Sequence, residues 1–379
     1  MSRDTHLPSN ETQWNQWAVT HEVSNSTIHD AILTSASTIS EKQYLLLQVL
    51  WTKNKGQNID LEHYELEKWK IKADKLLATF KSWTDYRASF QSGPILQGTF
   101  ALARMYQTRA AVSTDETFQS NVAISPIANR TRSKAGESKM SDLTQRLQQL
   151  PYPQTPSKST GTLPDYSDDE ETPDTRDGDT PFYSAGPKEI AYLMYPRTKD
   201  EQIVNTALVD FLNALSMHFP QASNWTLHRK SFKAVFEHAS FEARTDGYLE
   251  DTGSGRVRAL IEVKPMLRRK KLNPIRMQES AQMVAWIKSD PDHTGALNLP
   301  GHRLHVSQDR HQIFITFAEY ADSYIQYLND MLPEKSPRPF LTMHEFGPWN
   351  TTSRRDMEAV GGILLAIALR AYSDAEKSG

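Results

Sequence analysis

The sequence predicts an α/β fold from about residue 186 onward, preceded by a helical N-terminal region (1–112) and a disordered linker (113–185). Three observations predict it. Helical stripes and short apolar strands alternate as α-β-β-β-α-β through the second half of the 379 residues. Ser, Thr, Pro, Asp and Gly dominate residues 113–185. The chain is only 38% hydrophobic, below the range usual for a compact protein, so part of it is expected to be unfolded.

The first segment, about 12–112, carries Trp14, Trp17, Trp51, Trp69 and Trp83. Between Ile59 and Trp83 the apolar residues Leu61, Tyr64, Leu66, Trp69, Ile71, Leu76, Leu77 and Phe80 recur mostly three or four apart, which suits an amphipathic helix. The segment reads as a small helical bundle or pairing module, open to a protein partner or to self-association.

The linker cannot bury enough apolar surface to offset the entropy of ordering, and Asp165–Asp179 is strongly acidic. Ser125-Pro126, Thr155-Pro156, Thr172-Pro173 and Thr180-Pro181 are candidate phosphorylation sites or chance dipeptides. Arg130, Arg132 and Lys134 form either a nuclear import signal or a solvated charge cluster.

The globular half opens with a helix over about 199–217, its stripe being Ile203/Val204, Ala207/Leu208, Phe211/Leu212 and Leu215, closed by Pro220. Strands follow at 231–237, 241–250 and 256–264, the last two joined by the turn Thr252-Gly253-Ser254-Gly255. A helix over 274–288 has Asn273 as N-cap and Pro274 at its first position. Strands at 303–308 and 311–318, an extended piece at 340–346 and a helix over 354–372 complete the order.

Composition narrows the chemistry. Without cysteine there are no disulfides, thiolate zinc sites, iron–sulfur clusters or cysteine nucleophile. MSRDTHLPSN has no apolar h-region, and the apolar stretch Ala359–Leu369 is too short to span a bilayer. A soluble, intracellular protein with no membrane association is expected. A net charge of −3 leaves nucleic-acid binding to a local patch. There is no Gly-rich phosphate loop or nucleophile-elbow serine.

The 241–264 hairpin concentrates the candidate chemistry. Folded about Gly253/Ser254, it sets Asp246 opposite Ile261, within one residue of Glu262, and a small bulge would bring the two carboxylates to one edge. Glu262 and Lys264 are two apart and share a face. Carboxylates at the end of a buried strand need a partner, and a hard divalent cation is one that fits. The competing reading is an ordinary acid–lysine pair across an exposed hairpin.

Thr245-Asp246-Gly247 followed by Glu262-Val263-Lys264 in this element order resembles the PD-(D/E)XK nuclease superfamily. More narrowly, the chain looks like the nuclease-like domain of uncharacterised fungal proteins. The lines that carry this are Ile261–Pro265, Gln278–Ile287 and Ile313–Tyr320. Thr245 stands where the motif name has proline, a position that varies in the superfamily. The resemblance covers about half of the chain. It implies a restriction-endonuclease-like core and Mg²⁺- or Mn²⁺-dependent cleavage of nucleic acid, with DNA foremost. Asp246, Glu262 and the Val263 carbonyl would hold metal, and Lys264 would be the catalytic lysine. It also implies catalytic roles for Glu201 and Gln278. Each has an ordinary alternative: a capping box, Thr198-x-x-Glu201, and a polar helix flank that Gln282 shares.

Arg268, Arg269, Lys270 and Lys271 follow the strand directly, with Arg256, Arg258 and Arg276 near in sequence. They are expected to contact phosphate, against the plainer reading of a solvated loop. His302, His305 and His311 lack a zinc-ligand spacing and read as surface or core histidines. The alternative to an enzyme is a catalytically silent nuclease-fold module that binds nucleic acid or protein, with residues 1–112 as its interaction element.

Overall fold

The computed structural model describes residues 6–91, 94, 95, 97–112, 201–219, 223–291 and 296–378. The predicted linker, its Ser/Thr-Pro dipeptides, the Arg130 cluster, Thr198 and Pro220 lie outside the described residues. Along the chain come α1 (Glu11–Thr20), α2 (Glu41–Leu46), β1 (Val49–Trp51), α3 (Glu67–Thr79), α4 (Lys81–Ala88) and α5 (Ala101–Ala111). Then follow α6 (Glu201–Ser216), β2 (Ser223–Thr226), β3 (Ser231–Val235), β4 (Ser240–Arg244), β5 (Gly247–Asp251) and β6 (Val257–Lys264). The last elements are α7 (Leu272–Ser289), β7 (His302–Asp309), β8 (Gln312–Glu319), α8 (Asp322–Leu328), β9 (Leu341–Asn350) and α9 (Arg354–Ser378). No helix among the described residues is long and apolar enough to cross a membrane.

The fold is mixed α/β. Seven strands form one sheet in the order β1-β9-β8-β7-β6-β5-β2, and β3 and β4 form a separate hairpin. Pairs β6/β7 and β1/β9 are parallel and the rest antiparallel. Alternate residues of the central strands feed two cores. Ile261, Val263, Val306 and Phe317 pack with α3–α6 and α9. Leu260, Leu341 and Met343 pack with α1, α2, α7, α8 and the β3–β4 hairpin. The sheet is therefore covered on both faces, as its near-continuous apolar strands require.

The N-terminal region corrects an expectation. It is neither a separate bundle nor wholly helical: its described residues fall in one compact unit with those of 201–378, and they include a strand. The β1 strand extends the sheet, Val49 to Trp51 pairing with Leu341 to Met343. Trp51 is buried and its indole N–H donates to Ser280 Oγ of α7 at 2.9 Å. Trp83 lies against Gly361 of α9, where a Cβ would meet its ring at 2.6 Å. Of the five tryptophans in this region, Trp14, Trp51 and Trp83 are core side chains. The single helix read across 59–83 is instead α3 and α4, broken at Phe80, whose backbone is extended.

The predicted strand 241–250 is also two strands. It breaks at Thr245-Asp246, where the chain leaves its pairing with β3 and begins pairing with β6. Helix α7 begins at Leu272 with Lys271 as its N-cap, rather than at Pro274 after an Asn273 cap. Proline is tolerated within a first turn because its missing N–H has no intrahelical acceptor there.

Candidate active site

Asp246 sits at that strand break, and its position depends on register. A bulge between Leu249 and Glu250 shifts the β5–β6 ladder, so that Gly247 pairs with Ile261. Asp246 is thereby level with Glu262, one residue on from the unbulged pairing. Its backbone N–H donates to the Ile261 carbonyl at 3.0 Å, and its Oδ2 accepts from the Val263 N–H at 3.1 Å. From α6, Asn205 Nδ2 donates to the Asp246 carbonyl at 3.0 Å. Gly247 follows because no side chain fits: a Cβ there would lie 2.4 Å from the Thr226 carbonyl oxygen of β2.

Glu262 is buried and ringed by donors. Lys264 Nζ and Gln278 Nε2 both reach its Oε1, the latter at 2.5 Å, and Gln282 Nε2 reaches its Oε2 at 2.6 Å. The same Gln282 amide donates to the Arg244 carbonyl at 2.8 Å, joining β4 to the site. Gln282 is fully buried, because α7 is covered on almost every side. It is therefore not part of a solvated flank. Glu201, in the first turn of α6, lies 3.7 Å from Lys264 Nζ.

The electrostatics follow from burial and charge. Burial pushes the Glu262 carboxyl up to about 8, reinforced by the Asp246 charge and opposed by Lys264 and Gln282. Burial disfavours the Lys264 ammonium, but Glu262, Glu201 and Asp246 together hold it protonated well above the usual lysine range.

These groups wall one open cleft of about 400 Å³, which Glu201, Arg229, Arg244, Thr245, Asp246, Glu262, Lys264, Lys271 and Gln278 help to line. The donors suit a hard divalent cation: carboxylate oxygens on Asp246 and Glu262 with the Val263 main chain between them. Thr245 Oγ, buried at the cleft, has no hydrogen-bond partner among the described residues.

The basic residues are not arranged as the sequence suggested. Arg268 is only 2% exposed and does not face nucleic acid. Its guanidinium is gripped by Asp309, Glu279 and Glu345, with Ser307 Oγ accepting at 2.8 Å. A run of four basic residues cannot all face solvent where the chain turns inward to start α7. Arg276 is likewise buried against Glu345, and Arg258 against Asp251. Arg256 is exposed, at the far end of β6 from Lys264. Arg269 and Lys270 are exposed and Lys271 reaches the cleft. Arg229 and Arg244 went unnoticed in the sequence yet line it, Arg229 lying 3.5 Å from Asp246. Their only signal was position: Arg229 shortly precedes β3 and Arg244 ends β4, next to Asp246 once the strand break is known.

His305 is fully buried, and burial, with Arg268 and Lys264 nearby, pushes its imidazole down to about 3. Burial also lowers His311. No family model, curated protein or solved structure matches the chain.

Proposed function

We propose that the protein hydrolyses phosphodiester bonds in nucleic acid, DNA foremost, with Mg²⁺ or Mn²⁺, and that its core is of the PD-(D/E)XK type. The observation that carries this reading is the convergence of Asp246, Glu262 and Lys264 on one cleft bordered by Arg229, Arg244 and Lys271. Asp246, Glu262 and the Val263 carbonyl would hold the cation. A divalent ion bound there polarises a phosphodiester and acidifies a bound water.

The chain's own groups have separable tasks. Lys264, kept protonated by its acidic neighbours, supplies positive charge where negative charge develops on phosphorus. Gln278 and Gln282 hold both oxygens of Glu262 and so fix the carboxylate's direction. Arg229, Arg244 and Lys271 meet the phosphate backbone without reading bases.

The test uses the full chain, since residues 1–115 belong to the same compact unit as the site. Plasmid DNA and DNA and RNA oligonucleotides are incubated with Mg²⁺, Mn²⁺ or EDTA, beside Asp246→Asn and Lys264→Ala. Metal-dependent cleavage is expected, lowered at least about a hundredfold in Lys264→Ala. Full metal-dependent cleavage by Lys264→Ala would overturn the mechanism. Binding without cleavage by folded wild type would make this a silent nucleic-acid-binding module.

A further inference from the structure

At the other end of the sheet lies a second group of metal-ligating side chains. His302 begins β7 and pairs directly with Glu319, which ends β8. His344 of β9 is one diagonal step away, opposite Phe317. His63 comes from the N-terminal region, in the turn just before α3. Ligand atoms of His63, His302 and Glu319 all lie within 4.8 Å of one another, and His344 Nε2 is 3.2 Å from Glu319 Oε2. Seven residues of β7 separate His302 from Asp309 at the catalytic end, roughly 20 Å at about 3.3 Å per residue.

The surrounding contacts prepare these rings as ligands. His302 Nδ1 lies 2.8 Å from the Pro300 carbonyl, which accepts only if that nitrogen carries the proton. Nε2 then presents its lone pair, and it is buried with no hydrogen-bond partner among the described residues. His344 Nδ1 is 3.3 Å from Thr52 Oγ, whose hydroxyl donates to the Met343 carbonyl. Its Nε2 lies beside Glu319, while in His302 it is the Nδ1–H that is held. Fixing the far ring nitrogen in this way is how metal-bound histidines are commonly oriented. The turn bearing His63 is fastened as well. Its N–H bonds Asp60 Oδ1 at 3.0 Å, and the next residue, Tyr64, stacks on Phe317 with ring centroids 3.7 Å apart.

We propose that His63, His302 and Glu319 bind a divalent transition-metal ion of the zinc class. Two imidazoles and one carboxylate favour zinc over the oxygen-seeking Mg²⁺. Three protein ligands leave one position of a tetrahedral shell to water. The ion fastens the N-terminal turn to two strands of the sheet. This site shares no residue with the proposed hydrolytic centre.

Chelator-stripped full-length protein is titrated with ZnCl₂ alone by calorimetry, and with Co²⁺ by visible absorption. Wild type and Asp246→Asn are expected to bind one ion that excess Mg²⁺ does not displace, with a raised Tm and tetrahedral Co²⁺ bands. His63→Ala and His302→Ala are expected to weaken that binding at least about tenfold and to lose the bands. His63 is exposed, so its replacement leaves the fold intact and decides the matter if His302→Ala fails to fold. Absence of Zn²⁺ binding in wild type, or unchanged stoichiometry and affinity in His63→Ala, overturns the site. Loss of the ion in Asp246→Asn with retention in His63→Ala would assign it to the acidic cleft instead.

Discussion

Arg268 Nε donates to Asp309 Oδ2 at 2.5 Å, and Asp309 is the residue that pairs with Lys264 across the β6–β7 ladder. The guanidinium thus fastens the chain leaving β6 to the neighbouring strand, directly behind Lys264. Glu279 of α7 and Glu345 of β9 close the cluster, and the guanidinium lies 4.2 Å from the Phe314 ring centroid. Removing one partner from a buried ionic cluster leaves uncompensated charge. Arg268→Ala is expected to lower stability by about 3–5 kcal/mol. Urea denaturation measures it. A loss under 1 kcal/mol would mean that Arg268 is not the anchor described.

The cluster holds three carboxylates against Arg268 and Arg276, one acid more than its cations balance. Burial pushes Asp309 up from 3.8 to about 6, Glu279 adding to the shift while Arg268 and Lys264 oppose it. A carboxyl with a raised folded-state value contributes stability that is full below its unfolded value and is lost as pH rises through the folded one. Asp309→Asn cannot lose a proton. Its stability relative to wild type is therefore expected to improve between pH 4 and pH 7. Denaturation midpoints of both proteins across that range check the trend, and a decline would refute it.

On the proposed function, Arg229 and Arg244 should carry phosphate contacts that sequence proximity assigned to Arg268. Replacing both with Ala is expected to weaken DNA binding and to reduce the slope of log affinity against log salt by about two. Fluorescence anisotropy at several salt concentrations, with EDTA present, gives the slope. An unchanged slope would place the DNA elsewhere.

Gly247→Ala sets a methyl group against the Thr226 carbonyl, where backbone rather than a flexible side chain must yield. A destabilisation of about 1–3 kcal/mol is expected. Because Asp246 is the next residue, cleavage should fall by more than the stability loss explains. Activity measured well below the variant's Tm separates the two effects.

Local pattern was enough for most of the second half of the chain. Apolar spacing marks α6, α7, α9 and strands β6 to β8 within a few residues, because each buries a face set by its own period. The grouping of Asp246, Glu262 and Lys264 was legible as well. One turn joins their strands, so their proximity is a short-range consequence of the hairpin.

What only the tertiary structure decided rests on long-range contacts. The N-terminal region reads as an independent helical module until Trp51 is seen in the sheet and Trp83 against Gly361. The strand break at Asp246 depends on β4 pairing backward with β3 while β5 pairs forward with β6. Arg268 and Lys271 look alike in sequence, yet one is buried among acids and the other reaches the cleft. The distinction depends on Glu279, one helix away, and on Asp309 and Glu345, both distant in sequence. His302 needs His63, more than two hundred residues upstream, before it can be read as a ligand. Periodicity reports which face of an element is buried, and carries no information about which distant residue it is buried against.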